Sequence, residues 1–333
     1  MMRIIHCAPF NILTKSGGSL YSNPIKISQG LVQNNHFVHN FDYRDTSRYL
    51  SLFRNKKNGQ EKMNTFFRSL IDDLSPDLII FGHAELISKD TFDYIKNKDI
   101  NMIYWYNDVP LQKYFKEIAH YFDFILTTAG GSFIQDLKTY NPNTFFLPNL
   151  VDKNIEKHNA FNQDKFENDL FFSGRLDSER GELIDYLNSN LTKDIKTKYI
   201  GQNKKSVVIG EDYFSLIKNS KICINHNRDF TLKYEWYTSD RLMHIIGNGS
   251  FPLSTKIINA EIFFEDKLEY YESYDELVSK IDYFLENDKK RIEKSIWLSS
   301  RIHSLFNSKR VANYILDLFE QDEKKLINYE WYK

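Results

Sequence analysis

Residues 171–183 read FFSGRLDSERGEL. An apolar run stops at Ser-Gly-Arg, and a charged turn leads into a helical pattern. Two readings fit. In one, this is a plain strand-to-helix turn with two solvated arginines. In the other, a backbone approaches a phosphate. Gly174 permits close approach, a helix beginning near Ser178 offers free N–H groups to an anion, and Arg175 and Arg180 add charge-assisted hydrogen bonds to a diphosphate. Taken alone, the stretch slightly favours the plain turn.

The same unit recurs on both sides. Toward the N-terminus, RIIHCA (3–8), HFVHNF (36–41), SPDLIIFGH (75–83), NMIYWY (101–106), DFILTTA (123–129) and TFFLP (144–148) read as strands. Helical spacing lies between them over 19–35, 61–74, 88–98, 111–121 and 132–138, with Pro24 near a first turn. Toward the C-terminus, strands are predicted at 169–174, 195–201, 221–226, 250–255 and 261–264, and helices at 178–190, 212–220 and 239–247. Three more helices follow from 273 onward, and 204–209 reads as loop or strand. Strands that are apolar throughout and alternate with helices imply parallel sheets covered on both faces. The fold class is therefore α/β, with two Rossmann-like doubly wound domains in tandem, 1–150 and 169–307. The polar, poorly periodic stretch 151–168 reads as the connection between them. Ligands of such sheets bind beyond the carboxyl ends of the strands, so the expected site is the cleft between the two domains.

Composition narrows the function classes. The 333 residues carry 44 Lys and Arg against 45 Asp and Glu, a net charge of −1. That balance argues against a nucleic-acid partner, which would call for a basic excess. Cys7 and Cys223 sit in apolar runs and read as buried thiols in a reducing compartment, without the spacing of a zinc site. No charged leader with a long apolar core opens the chain, and no apolar run reaches the length of a membrane span. A cytoplasmic protein is expected, with peripheral contact at the inner face of a membrane left open.

Further candidates lie at predicted strand ends. In INHNRDFTLKYEWYTSDRLMHIIGNGSFPLST (224–255) a strand ends at Asn225, and Ser239 or Asp240 caps a helix holding Arg241 and His244. Arg241 in a first turn opposes the helix dipole, which is easier to explain if an anion sits there too. As alternatives, Arg241 is a surface arginine and His244 a partly buried histidine; for His244 alone the second is favoured. The aromatic segment 230–237 reads as packing, which is slightly favoured, or as a sugar-stacking or lipid-contacting rim. In the first domain, Ser16-Gly17-Gly18 follows a strand and opens a helix, without dinucleotide-site glycine spacing. His83 ends one strand and Asp108 another; each is a candidate base or acceptor-binding group, or a loop residue or cap.

In order along the chain, YWYNDVP (104–110), YFDFILTTAGG (121–131), FFLPNLVD (145–152), FFSGRLDSERGELIDYL (171–187) and the core of 222–287 resemble the two-domain GT-B glycosyltransferases. The likeness is greatest to the spore-maturation (CgeB-like) branch related to the group 1 enzymes. The resemblance implies a nucleotide-sugar donor held mainly by the second domain. Gly174, Arg175 and Arg180 would lie near its phosphates, Arg241 would pair with the diphosphate, and the loop Asn225 to Arg228 would approach sugar or phosphate. His244 stands where the family's R-x-x-E pattern has a ribose-binding glutamate, and a histidine cannot supply the same bidentate carboxylate. The acceptor, a glycan or glycolipid, would enter past Gly17, Gly18, His83 and Asp108. Transfer would need no metal and no cofactor besides the donor, because arginines and helix N-termini stabilise the leaving diphosphate. If the anomeric centre inverts, His83 or Asp108 is the base; if it is retained, as in group 1 relatives, none is needed. The resemblance also implies that the last segment, 308–333, crosses back onto the first domain. An epimerase or hydrolase of the same fold, or a non-catalytic sugar-nucleotide binder, are the competing readings.

Overall fold

The apolar runs become parallel strands, and every named strand pair is parallel. The computed structural model describes residues 1–107, 109–175, 177–201 and 207–332. The chain divides into two units, Met1–Pro148 with Ser308–Lys333, and Asn149–Asn307.

In the first unit the strands are β1 (Arg3–Cys7), β2 (Phe37–Phe41), β3 (Leu78–Gly82), β4 (Asn101–Tyr106), β5 (Phe124–Thr127) and β6 (Thr144–Phe146), in sheet order β2-β1-β3-β4-β5-β6. All of β3, LIIFG, is buried, as expected for a strand covered on both faces. The order reverses between β1 and β3, so the loops after those two strands flank a switch point. Helix Ser308–Glu320 packs on helix Asn23–Gln33. Gly30 lets the two approach: a β-carbon there would stand 2.0 Å from the Ser308 carbonyl oxygen.

In the second unit the strands are β7 (Asn168–Ser173), β8 (Thr197–Ile200), β9 (Ser220–Asn225), β10 (Phe251–Thr255) and β11 (Glu269–Tyr271), in order β11-β10-β9-β7-β8. Here the order reverses between β7 and β9. The core joins Leu170, Phe172, Ile222, Ile224 and Leu253 from the sheet to Leu183, Leu187, Leu277 and Ile281 from covering helices. Residues 151–168 are tied into this unit. Val151 N–H donates to the Phe306 carbonyl at 3.0 Å and Ala160 N–H to that of Asn248 at 2.9 Å.

Most elements lie where the sequence puts them, with three differences. Residues 261–264 form a helical turn, Glu261–Phe264, and the edge strand is β11, several residues later. A short apolar run does not separate the two periods, and here adjacent Phe263 and Phe264 are both buried. Helix Tyr43–Tyr49 has no strong apolar period; its start is set by Asp42, whose side chain accepts from Asp45 N–H at 2.9 Å. Gly17 and Gly18 do not open the long helix. They follow a short helix, Ile12–Lys15, and the long one begins at Asn23, where Pro24 sets the first turn. The 204–209 segment lies partly outside the described residues.

Both cysteines are buried and free. Among the described residues, no helix is long and apolar enough to cross a membrane.

Candidate functional site

The switch point of the second sheet gathers most of the residues singled out above. β7 ends at Ser173 and β9 at Asn225, side by side, and the loops after them carry Gly174 and His226. Asn225 is fully buried and acts as a junction. Its Nδ2 donates to Ser254 Oγ at 2.9 Å, and its Oδ1 accepts from Ser239 Oγ at 2.7 Å and from Arg241 Nε at 3.2 Å. Ser239 also caps helix Asp240–Gly247. One asparagine thus fixes the relation of β9, β10 and that helix.

Arg241 leaves the first turn of the helix and folds back over the strand ends. Nη1 donates to the Ser173 carbonyl at 2.8 Å and Nη2 to the His226 carbonyl at 2.7 Å, while the guanidinium stacks 5.2 Å from the Phe172 ring centre. A guanidinium has five N–H donors; these bonds leave one on each terminal nitrogen. Arg180, in the first turn of helix Ser178–Asn190, reaches the same place. Its Nη1 donates to the Arg175 carbonyl at 3.1 Å and its Nη2 to the His226 carbonyl at 3.3 Å, and its buried Nε has no hydrogen-bond partner among the described residues. Both guanidiniums converge on Gly174, where a β-carbon would stand 3.0 Å from Arg241 Nη1 and 3.4 Å from Arg180 Nη1.

Among the described residues no carboxylate lies in ion-pair contact with either arginine. Burial lowers both, and like charge adds to it: Arg241 falls to about 10 with Arg180 beside it, and Arg180 is lowered with Arg228 beside it. Two cations held together with only neutral acceptors make a strong positive field, the reverse of an ordinary structural ion pair.

The other candidates divide. Arg175 is exposed, and its side chain has no hydrogen bond or ion pair among the described residues. Arg228 is already neutralised, with Nε 2.7 Å from Asp177 Oδ2. Asp177 caps helix Ser178–Asn190; burial opposes its ionisation, but Arg228 and the Arg180 N–H hold it below the usual carboxylate range. His244 is 4% exposed and packs edge-on against Tyr213 and Phe214, with Nδ1 3.4 Å from the Tyr213 hydroxyl.

His226 was not singled out within its loop. Its ring lies parallel to that of Tyr271, with Nδ1 2.8 Å from the Tyr271 hydroxyl. Burial, with Arg241 and Arg180 adding to it, lowers His226 to about 4, so it is neutral near pH 7. The polar run NHNR directly after an apolar strand signals such a residue. Its partner Tyr271 lies on β11, several residues after the strand expected at 261–264, so no sequence signal joins the two.

In the first unit, the loop after β3 is conformationally unusual. His83 and Ala84 both have positive φ, 68° and 59°, a costly conformation for residues with a β-carbon. The His83 carbonyl accepts from the Tyr104 hydroxyl. Glu85, absent from the candidates above, follows at once. It binds Arg44 at 2.7 Å, Lys56 at 3.2 Å and the Tyr43 hydroxyl. Burial favours its neutral acid, yet Arg44 and Tyr43 prevail and hold it at about 2. Gly17 is exposed, with positive φ and open space around it, and Gly18 N–H closes a turn onto the Lys15 carbonyl. Asp108 lies outside the described residues. Among the described residues no group of three or more His, Cys, Asp or Glu is placed to hold a metal ion.

Residues 180–317 match the model of a family described as glycosyl transferase-like. No curated protein matches the chain. Among solved structures, one similar chain is an α-glucosyltransferase in complex with UDP-glucose and DNA containing an abasic site. The two share 11% identity over 96% of this chain and 99% of that one, with a TM-score of 0.68. Another is sucrose-phosphate synthase from Thermosynechococcus elongatus, 10% identical over 98% and 100%, TM-score 0.59. A third is a putative UDP-N-acetylglucosamine 2-epimerase from Listeria monocytogenes, 9% identical over 97% and 97%, TM-score 0.53. At such identities the likeness is one of fold, and the fold is GT-B. The first of these structures contains DNA. A chain of this fold thus occurs with DNA, which is not consistent with the expectation above of no nucleic-acid partner.

Proposed function

We propose that the chain is a glycosyltransferase that binds the diphosphate of a nucleotide-sugar, of the UDP type, at the switch point of the second sheet. The observation that carries this is the pair Arg180 and Arg241, two partly buried guanidiniums on one glycine with no carboxylate between them. A bound diphosphate supplies the missing negative charge. The two free N–H groups of Arg241 point to paired phosphate oxygens, the geometry at which guanidinium excels. As the bond from anomeric carbon to phosphate oxygen breaks, charge grows on the leaving diphosphate, and cations already in place stabilise it without reorganisation. Arg175, exposed and without a side-chain partner among the described residues, would close on the donor in this reading.

The family match over 180–317 and the GT-B fold support transferase chemistry, and the UDP-glucose in one structure of this fold supports UDP as the nucleotide. The acceptor in this reading is a glycan or glycolipid, transfer retains the anomeric configuration, and the arginines serve where other transferases use a metal. In this reading the chain stands with the CgeB-like branch. A ligand that binds only the folded state raises its melting temperature. UDP should do so above GDP, ADP, TDP and CMP, and turnover of a UDP-sugar should survive EDTA. No shift with any nucleoside diphosphate would sink the proposal. Acceptor-independent epimerisation of a UDP-sugar would favour the second reading, an epimerase of the same fold, for which the structure from Listeria is the reason.

A further inference from the structure

One part of the first unit leaves large apolar side chains in the open. Leu52 is 89% exposed, Phe53 80% and Tyr49 78%, and Leu13, Ile12 and Phe66 are each more than half exposed. They come from helix Ile12–Lys15, from helix Tyr43–Tyr49 with the turn after it, and from helix Gln60–Leu74. A groove of about 420 Å³ joins four of them, Ile12, Leu13, Tyr49 and Phe66, with Leu50, Asp42 and Asp45 also in its lining. Those two carboxylates are occupied: Asp45 pairs with Arg48 at 2.8 Å and accepts from Leu13 N–H, and Asp42 accepts from the Asn11 and Asp45 N–H groups.

Basic side chains share these segments. Residues 44–62 carry six Lys and Arg against two Asp and Glu, in a chain whose net charge is −1. Arg44, Arg48 and Lys56 are paired with Glu85 or Asp45. Lys15, Arg54, Lys57 and Lys62 are exposed and have no carboxylate partner among the described residues. Arg54 and Lys57 flank Phe53, and Lys62 lies one helical turn before Phe66, on its face.

We propose that this face binds the surface of an anionic lipid bilayer, with Leu52 and Phe53 inserted among the acyl chains and Lys15, Arg54, Lys57 and Lys62 against the headgroups. Highly exposed apolar side chains, with exposed cations that have no carboxylate partner among the described residues on the same segments, match a medium that is apolar at depth and negative at its boundary. The most exposed apolar residues, Leu52 and Phe53, sit on the turn two residues after Leu50 of the groove, where insertion is open to them. The assignment does not depend on the donor site.

The test is flotation of the full chain with vesicles of phosphatidylcholine alone or mixed with phosphatidylglycerol, without nucleotide. Binding is expected to the mixed vesicles only and to fall as salt rises. The double variant Leu52→Ser, Phe53→Ser should lose it with an unchanged melting temperature, since both side chains are exposed. Arg54→Gln and Lys57→Gln should each weaken it by about fivefold, and the Phe53→Trp variant should shift its emission to the blue on mixed vesicles. Equal binding to both vesicle types, binding indifferent to these variants, or no binding would overturn the proposal. So would retention on soluble polyglutamate as strong as on vesicles, which would assign the face to an acidic chain. A dimer of the Phe53→Trp variant with the same blue shift in the absence of lipid would assign it to a second copy instead.

Discussion

Arg180 and Arg241 share one acceptor, the carbonyl oxygen of His226, at 3.3 and 2.7 Å. A carbonyl orients a cation but does not neutralise it, and among the described residues no carboxylate pairs with either guanidinium where the loops after β7 and β9 meet. The first prediction follows from that. Arg241→Ala should abolish donor turnover and weaken UDP binding by roughly tenfold to a hundredfold, the range for a lost charged hydrogen-bonding partner. Arg241→Lys should not restore it, because a point charge cannot bond Ser173, His226 and Asn225 in one fork. Titration calorimetry with UDP measures both; full affinity in either variant removes Arg241 from the site.

Gly174 is where the backbone makes room for both guanidiniums. A β-carbon there meets Arg241 Nη1 at 3.0 Å and Phe172 Cζ at 3.1 Å. Gly174→Val should displace Arg241 from its carbonyls and weaken UDP binding at least about tenfold, with a smaller loss of stability of about 1–3 kcal/mol from overpacking. Undiminished affinity in a folded Gly174→Val protein would show that the cations need not be held there.

His226 couples this site to pH. Its ordinary value of 6.5 falls to about 4 on burial beside Arg241 and Arg180. The unfolded chain therefore takes up this proton at a higher pH than the folded one. Stability is full above about pH 6.5, declines as pH falls toward about 4, and levels off below, a loss of about 3 kcal/mol at 1.36 kcal/mol per pH unit. His6, buried in the first unit and lowered to about 3, acts with the same sign. Urea midpoints across the window should show a shallower decline for His226→Asn than for the wild type; parallel curves would contradict the assignment.

The crossing of helix Asn23–Gln33 with helix Ser308–Glu320 depends on Gly30. With the Ser308 carbonyl 2.0 Å from a would-be β-carbon, even Gly30→Ala must push the helices apart, against the helix propensity gained from alanine. A net loss of about 1–3 kcal/mol is expected by chemical denaturation. An unchanged or raised midpoint would mean the helices separate without cost.

The sequence by itself determined the alternation of β1 to β10 with the helices between them, because buried parallel strands are apolar throughout and helices carry a different period. It also marked Gly174 and Asn225, where apolar runs end at the carboxyl edge of the sheet, and Arg180 and Arg241, cations in the first turns of the helices that follow. Its misplaced strand at 261–264 shows the limit, for two adjacent phenylalanines fit either period. Only the tertiary structure decided which marked residues meet. Strand order sets β7 against β9, and that crossing of the chain brings Arg180 and Arg241 to one carbonyl 46 and 15 residues away in sequence. It also pairs Arg228 with Asp177, packs His244 against Tyr213, and gives His226 and Glu85 their partners. Charge partners lie across the fold, and no local pattern records whether an arginine will find a carboxylate there.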